Sequence, residues 1–221
     1  MTRPFRDRAA AGQALAGHLA AYASRPDVLV LALPRGGVPV AFEVAIALDA
    51  PLDVFLVRKL GVPGHEELAM GAIATGGVRV LNDGVVRDLD IPRATIDRVA
   101  AAEQEELARR EVAYRDDRPA PAVADRTVVL VDDGLATGAT MRAAVAALRQ
   151  GRPRRVVVAV PVAASSTCAE LRVEVDEIVC ALTPEPFYAV GLWYEDYAPT
   201  TDDEVHDLLA RAWHNGEEGE G

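Results

Sequence analysis

Lysine is almost missing from this 221-residue chain: Lys59 stands alone, and every other side-chain cation apart from histidine is an arginine. A bias of that kind follows genome composition, but it draws attention to the neighbours of the one lysine. Cysteine is nearly as scarce. Cys168 and Cys180 are too few for a disulfide framework and lack metal-ligand spacing, so they read as small core residues. Aromatics make up only 5% of the chain, which leaves the core to Ala, Val and Leu. Positive charge is in deficit, with a formal net charge of −11, and this argues against a general binder of nucleic acid or anionic membrane. No apolar run approaches the roughly 18 residues of a membrane helix. The stretch 1–23 carries Arg3, Arg6, Asp7 and Arg8, and its Ala/Leu run is broken by Gly12, Gln13, Gly17 and His18. That is a poor signal-peptide core and a fair surface helix, so a soluble cytoplasmic protein is expected. There is no Walker A sequence and no GxGxxG after a strand, which speaks against ordinary nucleoside triphosphate or dinucleotide binding.

What is present is a globular chain, 50% hydrophobic and 26% charged. Short, mostly apolar runs at 28–33, 52–57, 127–131, 155–160 and 177–181 read as strands covered on both faces, hence a parallel sheet. Helical patterns at 39–48, 140–149 and 166–173 separate several of them, the rhythm of a doubly wound α/β fold of about five strands. Two segments break that rhythm. Residues 61–90 are expected to form an inserted flap containing a hairpin at 71–81 around Gly76 and Gly77. Residues 92–115 form a long charged helix with Glu105/Arg109 and Glu106/Arg110 four apart. With no internal repeat and no second core, the expectation is one domain over 1–213 and a disordered acidic tail over 214–221.

The segment VVLVDDGLATGATM, residues 128–141, carries the most chemistry. An apolar strand ends in two acids, Asp132 and Asp133. A loop of Gly134, Leu135, Ala136, Thr137, Gly138, Ala139 and Thr140 then opens a helix. In an open α/β sheet, ligands bind beyond the carboxyl ends of the strands. Bare backbone N–H groups and hydroxyls at a helix start suit a phosphate. Two carboxylates repel a phosphate but suit a vicinal diol or Mg²⁺. A phosphate and a diol a few ångströms apart describe a ribose 5-phosphate.

This segment resembles the phosphoribosyl pyrophosphate (PRPP) signature of the type I phosphoribosyltransferases. Three further segments fit that family. Leu33-Pro34-Arg35-Gly36-Gly37 follows the first strand where the family has its pyrophosphate loop, and the resemblance implies a cis peptide at Pro34–Arg35. The run Val57-Arg58-Lys59-Leu60-Gly61-Val62-Pro63-Gly64 resembles adenine phosphoribosyltransferases, where a basic pair ends the second strand. The stretch 186–197 (PFYAVGLWYEDY) resembles the hood of the 6-oxopurine enzymes, over 186–198. The likeness spans about 28–197, and is greatest to bacterial predicted phosphoribosyltransferases of unassigned acceptor. It implies that Arg35, Gly36, Gly37, Arg58, Lys59, Asp132, Asp133, Ala136, Thr137, Gly138, Ala139 and Thr140 bind PRPP. It also implies that Tyr188 and Val162 line the acceptor site, that Asp132, Asp133 and Glu195 serve Mg²⁺, and that Arg35 and Lys59 act in catalysis, with Glu66 of the flap as a further catalytic candidate.

Two departures concern the acceptor. The hypoxanthine–guanine enzymes carry an Asp inside the PRPP loop where this chain has Ala136. They also have a Lys after the next strand, where this chain reads Val162-Ala163-Ala164. A small neutral heterocycle is therefore expected in preference to a 6-oxopurine, entering between the hood and 162–165. The reaction implied is transfer of ribose 5-phosphate from PRPP with release of pyrophosphate. The protein stabilises the leaving group and excludes water, the flap acts as a lid, and His65, Glu66 and Glu67 are candidate acid–base groups. A homodimer acting on PRPP and a small-molecule acceptor, without nucleic acid, is expected. The alternative is a PRPP-sensing regulator that keeps the donor site without catalysis.

Overall fold

The computed structural model describes residues 4–116 and 118–218, with the side chains of 66, 67 and 215–218 outside that description. Its centre is a five-stranded sheet. The strands β1 (Val28–Ala32), β2 (Leu52–Val54), β6 (Thr127–Val131), β7 (Arg155–Val162) and β8 (Glu177–Leu182) lie in the order β2-β1-β6-β7-β8, every neighbouring pair parallel. Alternation divides the strand residues between two cores. Val28, Val30 and Ala32 join Val129, Val131 and Val157 on one face, while Leu29 and Leu31 join Val128, Leu130, Val156 and Val158 on the other. Both faces are covered, which is why these strands read as continuous apolar runs rather than alternating ones.

The first face is covered by α1 (Arg8–Gly17), α2 (Gly37–Leu48), α4 (Arg93–Arg115) and α7 (Asp202–Glu218). The expected surface helix at the start of the chain is half sunk. Asp7 caps α1 by accepting from the N–H of Ala10, and Ala11, Gly12, Leu15 and Ala16 are buried. Gly12 is needed there, because a Cβ would stand 2.6 Å from the Val40 carbonyl of α2. The long helix is borne out, and its apolar stripe of Ile96, Ala100, Leu107 and Tyr114 faces inward. On its outer face Glu106 takes both Arg109 and Arg110, so Glu105 is not the partner of Arg109. Its buried Arg115 donates to Asp53 at 2.6 Å and to the Val54 carbonyl, pinning the helix to the sheet edge. Helix α7 has no counterpart among the sequence expectations. It continues to Glu218, so residues 214–218 extend a helix instead of forming a disordered tail; 219–221 lie outside the described residues.

The second face is covered by α5 (Ala139–Gln150), α6 (Ser165–Leu171) and a second sheet. The expected second strand over 52–57 divides between two sheets: β2 stops at Val54, and the chain leaves the main sheet at Phe55 and Leu56. The Phe55 N–H still bonds Ala32, but the Leu56 N–H bonds the Thr75 hydroxyl. From there β3 (Val57–Val62), β4 (His65–Ala74) and β5 (Val78–Leu81) form an antiparallel sheet, followed by α3 (Asp83–Asp88). The hairpin around Gly76 and Gly77 is present, with both glycines at positive φ. Most of this insert is not a free lid, since Ala74, Val57, Val78 and Val80 pack into the second core. The turn at 63–68 is exposed at Pro63, Gly64, His65 and Leu68, as are the second turn at Gly76 and Gly77 and residues 87–90. Cys168 on α6 and Cys180 on β8 are bonded to each other, which corrects the reading of two independent core residues. No helix among the described residues is long and apolar enough to cross a membrane.

Candidate active site

The doubly wound order puts two strand-to-helix loops side by side at the carboxyl edge, because β1 and β6 are neighbours. Each loop opens a helix whose first turn has no side-chain cap: Gly36 precedes α2 and Gly138 precedes α5. The first turn of α5 presents orphan N–H donors, and the helix dipole makes that end attractive to anions; in α2 the Gly37 and Val38 N–H groups already bond the carbonyls of Leu33 and Arg35, and Pro39 has no N–H. One edge therefore offers an open helix end on α5 and a glycine turn before α2, with Asp132 and Asp133 between them.

The two loops are packed so closely that glycine is obligatory. A Cβ on Gly36 would meet the Asp133 Oδ2 at 2.1 Å, and one on Gly37 would meet the Val131 carbonyl oxygen at 2.8 Å. Gly138 adopts φ +71°, and a Cβ there would meet the Thr167 methyl at 2.8 Å. The β6–α5 loop is also tied from the next strand and helix. The Leu135 N–H bonds Val162, the Ala164 N–H bonds Leu135, and the Thr167 hydroxyl donates to Ala136. Ala136, Thr137, Ala139 and Thr140 are left facing solvent. The Pro34–Arg35 peptide is cis, as the resemblance implied.

The two acids differ. Asp132 accepts from the N–H of Asp133, and its carboxyl is pushed well above the usual range, first by burial and then by the neighbouring Asp133 charge. Asp133 is 9% exposed and accepts from Arg8 at 2.9 Å. Arg8 is absent from the sequence-derived set, and it reaches the acid from α1. The same guanidinium donates to the Ala198 carbonyl at 2.6 Å and lies over the Tyr197 ring at 4.1 Å.

The hood is composite. Phe5 bridges to Tyr194, its N–H bonds Trp193, and its carbonyl accepts from Glu195, so the start of the chain and 193–195 pack as one unit. Tyr194 donates its hydroxyl to the Asp133 carbonyl at 2.5 Å. Tyr188 is 79% exposed, and it is Val190 that packs against Gly134. Val162 is fully buried against Ala11 and Tyr194, so its side chain forms the floor beneath the hood. The Ser165 hydroxyl donates to Glu185 at 2.5 Å, placing a charged group beside the Ala163–Ala164 wall, where the sequence showed none.

The expected cations are not gathered at the two loops. Arg35 is half exposed and lies 3.7 Å from Asp202 of α7, while Arg58 is paired with Glu103 of α4 at 2.6 Å. Lys59 is exposed on β3. The Glu66 side chain lies outside the described residues. Nor is Glu195 assembled with Asp132 and Asp133: among the described residues no group of three or more His, Cys, Asp or Glu side chains could hold a metal. Two cavities of about 280 and 320 Å³ lie elsewhere, beside Gly76 and residues 118–124, and neither includes a residue of these loops.

The chain that carries this edge matches a known family. The phosphoribosyl transferase domain model matches residues 64–182, and the chain belongs to that family. Two Mycobacterium tuberculosis proteins, from strains CDC 1551 / Oshkosh and H37Rv, are provisionally named phosphoribosyl transferases. Each is 49% identical over 208 residues, covering 94% of this chain and 47% of the relative. The chain thus spans about half the length of the curated relatives it matches. The crystal structure of TT1426 from Thermus thermophilus is 45% identical, with a TM-score of 0.85 over 95% of this chain and 99% of that one.

Proposed function

We propose that the chain transfers ribose 5-phosphate from PRPP to a small heterocyclic acceptor, with release of pyrophosphate. The observation that carries this is the contact between the two loops: Gly36 lies against Asp133, so a pyrophosphate-binding end and a diol-binding acid share one wall. The α5 end, with Thr137 and Thr140, takes the 5-phosphate. Asp132 and Asp133 accept from the ribose hydroxyls. Arg35 and the turn before α2 take the pyrophosphate, Arg35 leaving or sharing its long contact with Asp202. Lys59 on β3 adds positive charge on the flap side, and Arg58 joins it on leaving or sharing its contact with Glu103.

Mg²⁺ fits the residues present. Asp132 and Asp133 offer only hard oxygen donors, and the raised pKa of Asp132 reflects burial and like-charge strain that a cation relieves. When bound, Mg²⁺ neutralises the pyrophosphate as it departs. The chain's own groups hold C1 of the ribose between the two helix ends, and the hood keeps water from the positive charge that grows there.

The acceptor enters between the hood and the end of β7. The wall of Ala163 and Ala164 lacks a lysine to read a 6-oxo group, and Ser165 with Glu185 offers a carboxylate acceptor instead. A neutral heterocycle that donates hydrogen bonds suits this wall. Tyr188 stacks on the base, and the turn at 63–68 closes over it with His65 and Glu66 as acid–base candidates. The test is incubation with Mg²⁺-PRPP and a panel of bases, following pyrophosphate release and new nucleotide masses. Pyrophosphate release with a matching nucleotide supports the transferase. Stabilisation by Mg²⁺-PRPP with no base turned over favours a PRPP sensor.

A further inference from the structure

We propose that Arg8 is a positioning residue of the donor site, fastening the carboxylate of Asp133 to the hood so that donor binding and hood closure are one event. The proposal rests on the reading of Asp133 as a ribose-binding acid, and extends it to a residue 125 positions away in sequence.

The geometry is specific to a planar cation. The Nε of Arg8 donates to Asp133 Oδ2 at 2.9 Å, and its Nη1 donates to the Ala198 carbonyl at 2.6 Å. Its guanidinium carbon lies 4.1 Å from the Tyr197 ring centroid and 5.9 Å from that of Tyr194. One guanidinium thus orients an acid, bonds a hood backbone and stacks on hood aromatics. A lysine ammonium supplies charge without the fork or the stacking face. Both side chains of the Arg8–Asp133 pair are only 12% exposed, so water does little to screen the pair. The contact is also adjacent to the pyrophosphate loop, since a Cβ on Gly36 would come within 3.3 Å of the Arg8 Nε.

The consequence follows from what else joins hood and acids. The Tyr194 hydroxyl bonds the Asp133 backbone carbonyl, which leaves the carboxylate free to turn. The Tyr197 hydroxyl faces that carboxylate, and burial together with the Asp133 charge pushes its pKa up to about 12, so it stays a neutral partner on the ring that Arg8 covers. Arg8 supplies the charge, occupies Oδ2 and fixes the rotamer, so Oδ1 keeps a defined direction for a ribose hydroxyl. Releasing Arg8 removes the charged contact from the carboxylate, the Tyr197 ring and the Ala198 carbonyl together.

The experiment uses the full chain and Mg²⁺-PRPP as probe. Binding is measured by calorimetry for the wild type, Arg8→Gln and Arg8→Lys, with thermal unfolding of each free protein as the folding control. Hood movement is read from Trp193 fluorescence in a Trp213→Phe background. Losing a charge-assisted hydrogen bond predicts PRPP affinity weaker by about tenfold or more in Arg8→Gln. Arg8→Lys restores part of that affinity but not the Trp193 response, a split that a merely structural arginine would not produce. If Arg8→Gln fails to fold, Arg8→Lys decides. Wild-type affinity together with a wild-type Trp193 response in a folded Arg8 variant overturns the inference and leaves the donor site standing. A wild type that does not bind Mg²⁺-PRPP overturns the donor-site reading, and this inference with it.

Discussion

The loops that would hold the donor and the segments that would hold the acceptor are built on different principles. The donor loops are fastened by backbone: the Leu135 N–H bonds the Val162 carbonyl while the Leu135 carbonyl accepts from Ala164, and glycines 36, 37 and 138 bring main chain within contact of main chain or side chain. The acceptor side depends on side chains that reach from far off or stand in solvent. Tyr188 is 79% exposed, Pro63, Gly64, His65 and Leu68 stand in solvent, and Ser165 meets Glu185 at the surface. The difference teaches where change is tolerated. A site made of close backbone approaches has one solution, whereas a side-chain wall can be re-lined for another base without disturbing the sheet.

The sharpest way to break that contrast is Gly36→Ala. Its Cβ would meet the Asp133 Oδ2 at 2.1 Å, so either the loop or the acid must move. Mg²⁺-PRPP affinity is expected to fall by about a hundredfold, the loss of roughly two charge-assisted bonds, as measured by calorimetry. If affinity survives, the donor loops are no more rigid than the hood.

Tyr188→Ala probes the other half. One lost stacking contact, about 1–3 kcal/mol, predicts a Michaelis constant for the acceptor raised by about tenfold or more, with PRPP affinity nearly intact. Because the ring is exposed, the unfolding temperature should not move. A variant that loses PRPP instead would reverse the two halves.

A smaller effect is expected from Asp202→Asn, which releases Arg35 from a long, half-exposed contact. Exposed pairs are worth under about 1 kcal/mol, so PRPP affinity should improve by no more than about fivefold. No change would mean that Arg35 is not held back by α7.

The smallest effect concerns pH. His206 on α7 sits 3.0 Å from Asp116, and the hydrogen bond to that carboxylate raises its pKa despite some loss of hydration. The folded state therefore holds the proton more tightly than the unfolded one. The stabilisation is full below the ordinary histidine pKa and is lost as pH climbs through the raised value. For so exposed a pair the change is a few tenths of a kcal/mol, about 0.3. Denaturant titrations of His206→Gln should show the difference from wild type only on the acid side.

Much of the central sheet was legible because its signals are short-range. A strand buried on both faces writes itself as a continuous apolar run, and β1, β6, β7 and β8 fall where those runs lie. The run at 52–57 misled because apolar character says nothing about which sheet a residue joins. Phe55 remains bonded to Ala32 while Leu56 turns to Thr75, a choice made by the insert's own packing. Helix α7 went unread although Val205 and Leu209 are fully buried against the first core, since no motif drew attention to the stretch after the hood.

The sequence by itself determined the two glycine loops, the paired acids and the strand–helix alternation. These depend on conformational freedom, hydrogen-bonding groups and periodicity within windows of a dozen residues. Only the tertiary structure decided that Arg8 meets Asp133, that Thr167 anchors Ala136, that Phe5 joins Tyr194 in a shared hood, and that Arg35 and Arg58 rest on Asp202 and Glu103. Those partners are selected by the packing of helices against a common sheet. A charged or aromatic side chain looks the same in sequence whether it ends in solvent or beside an acid from another element.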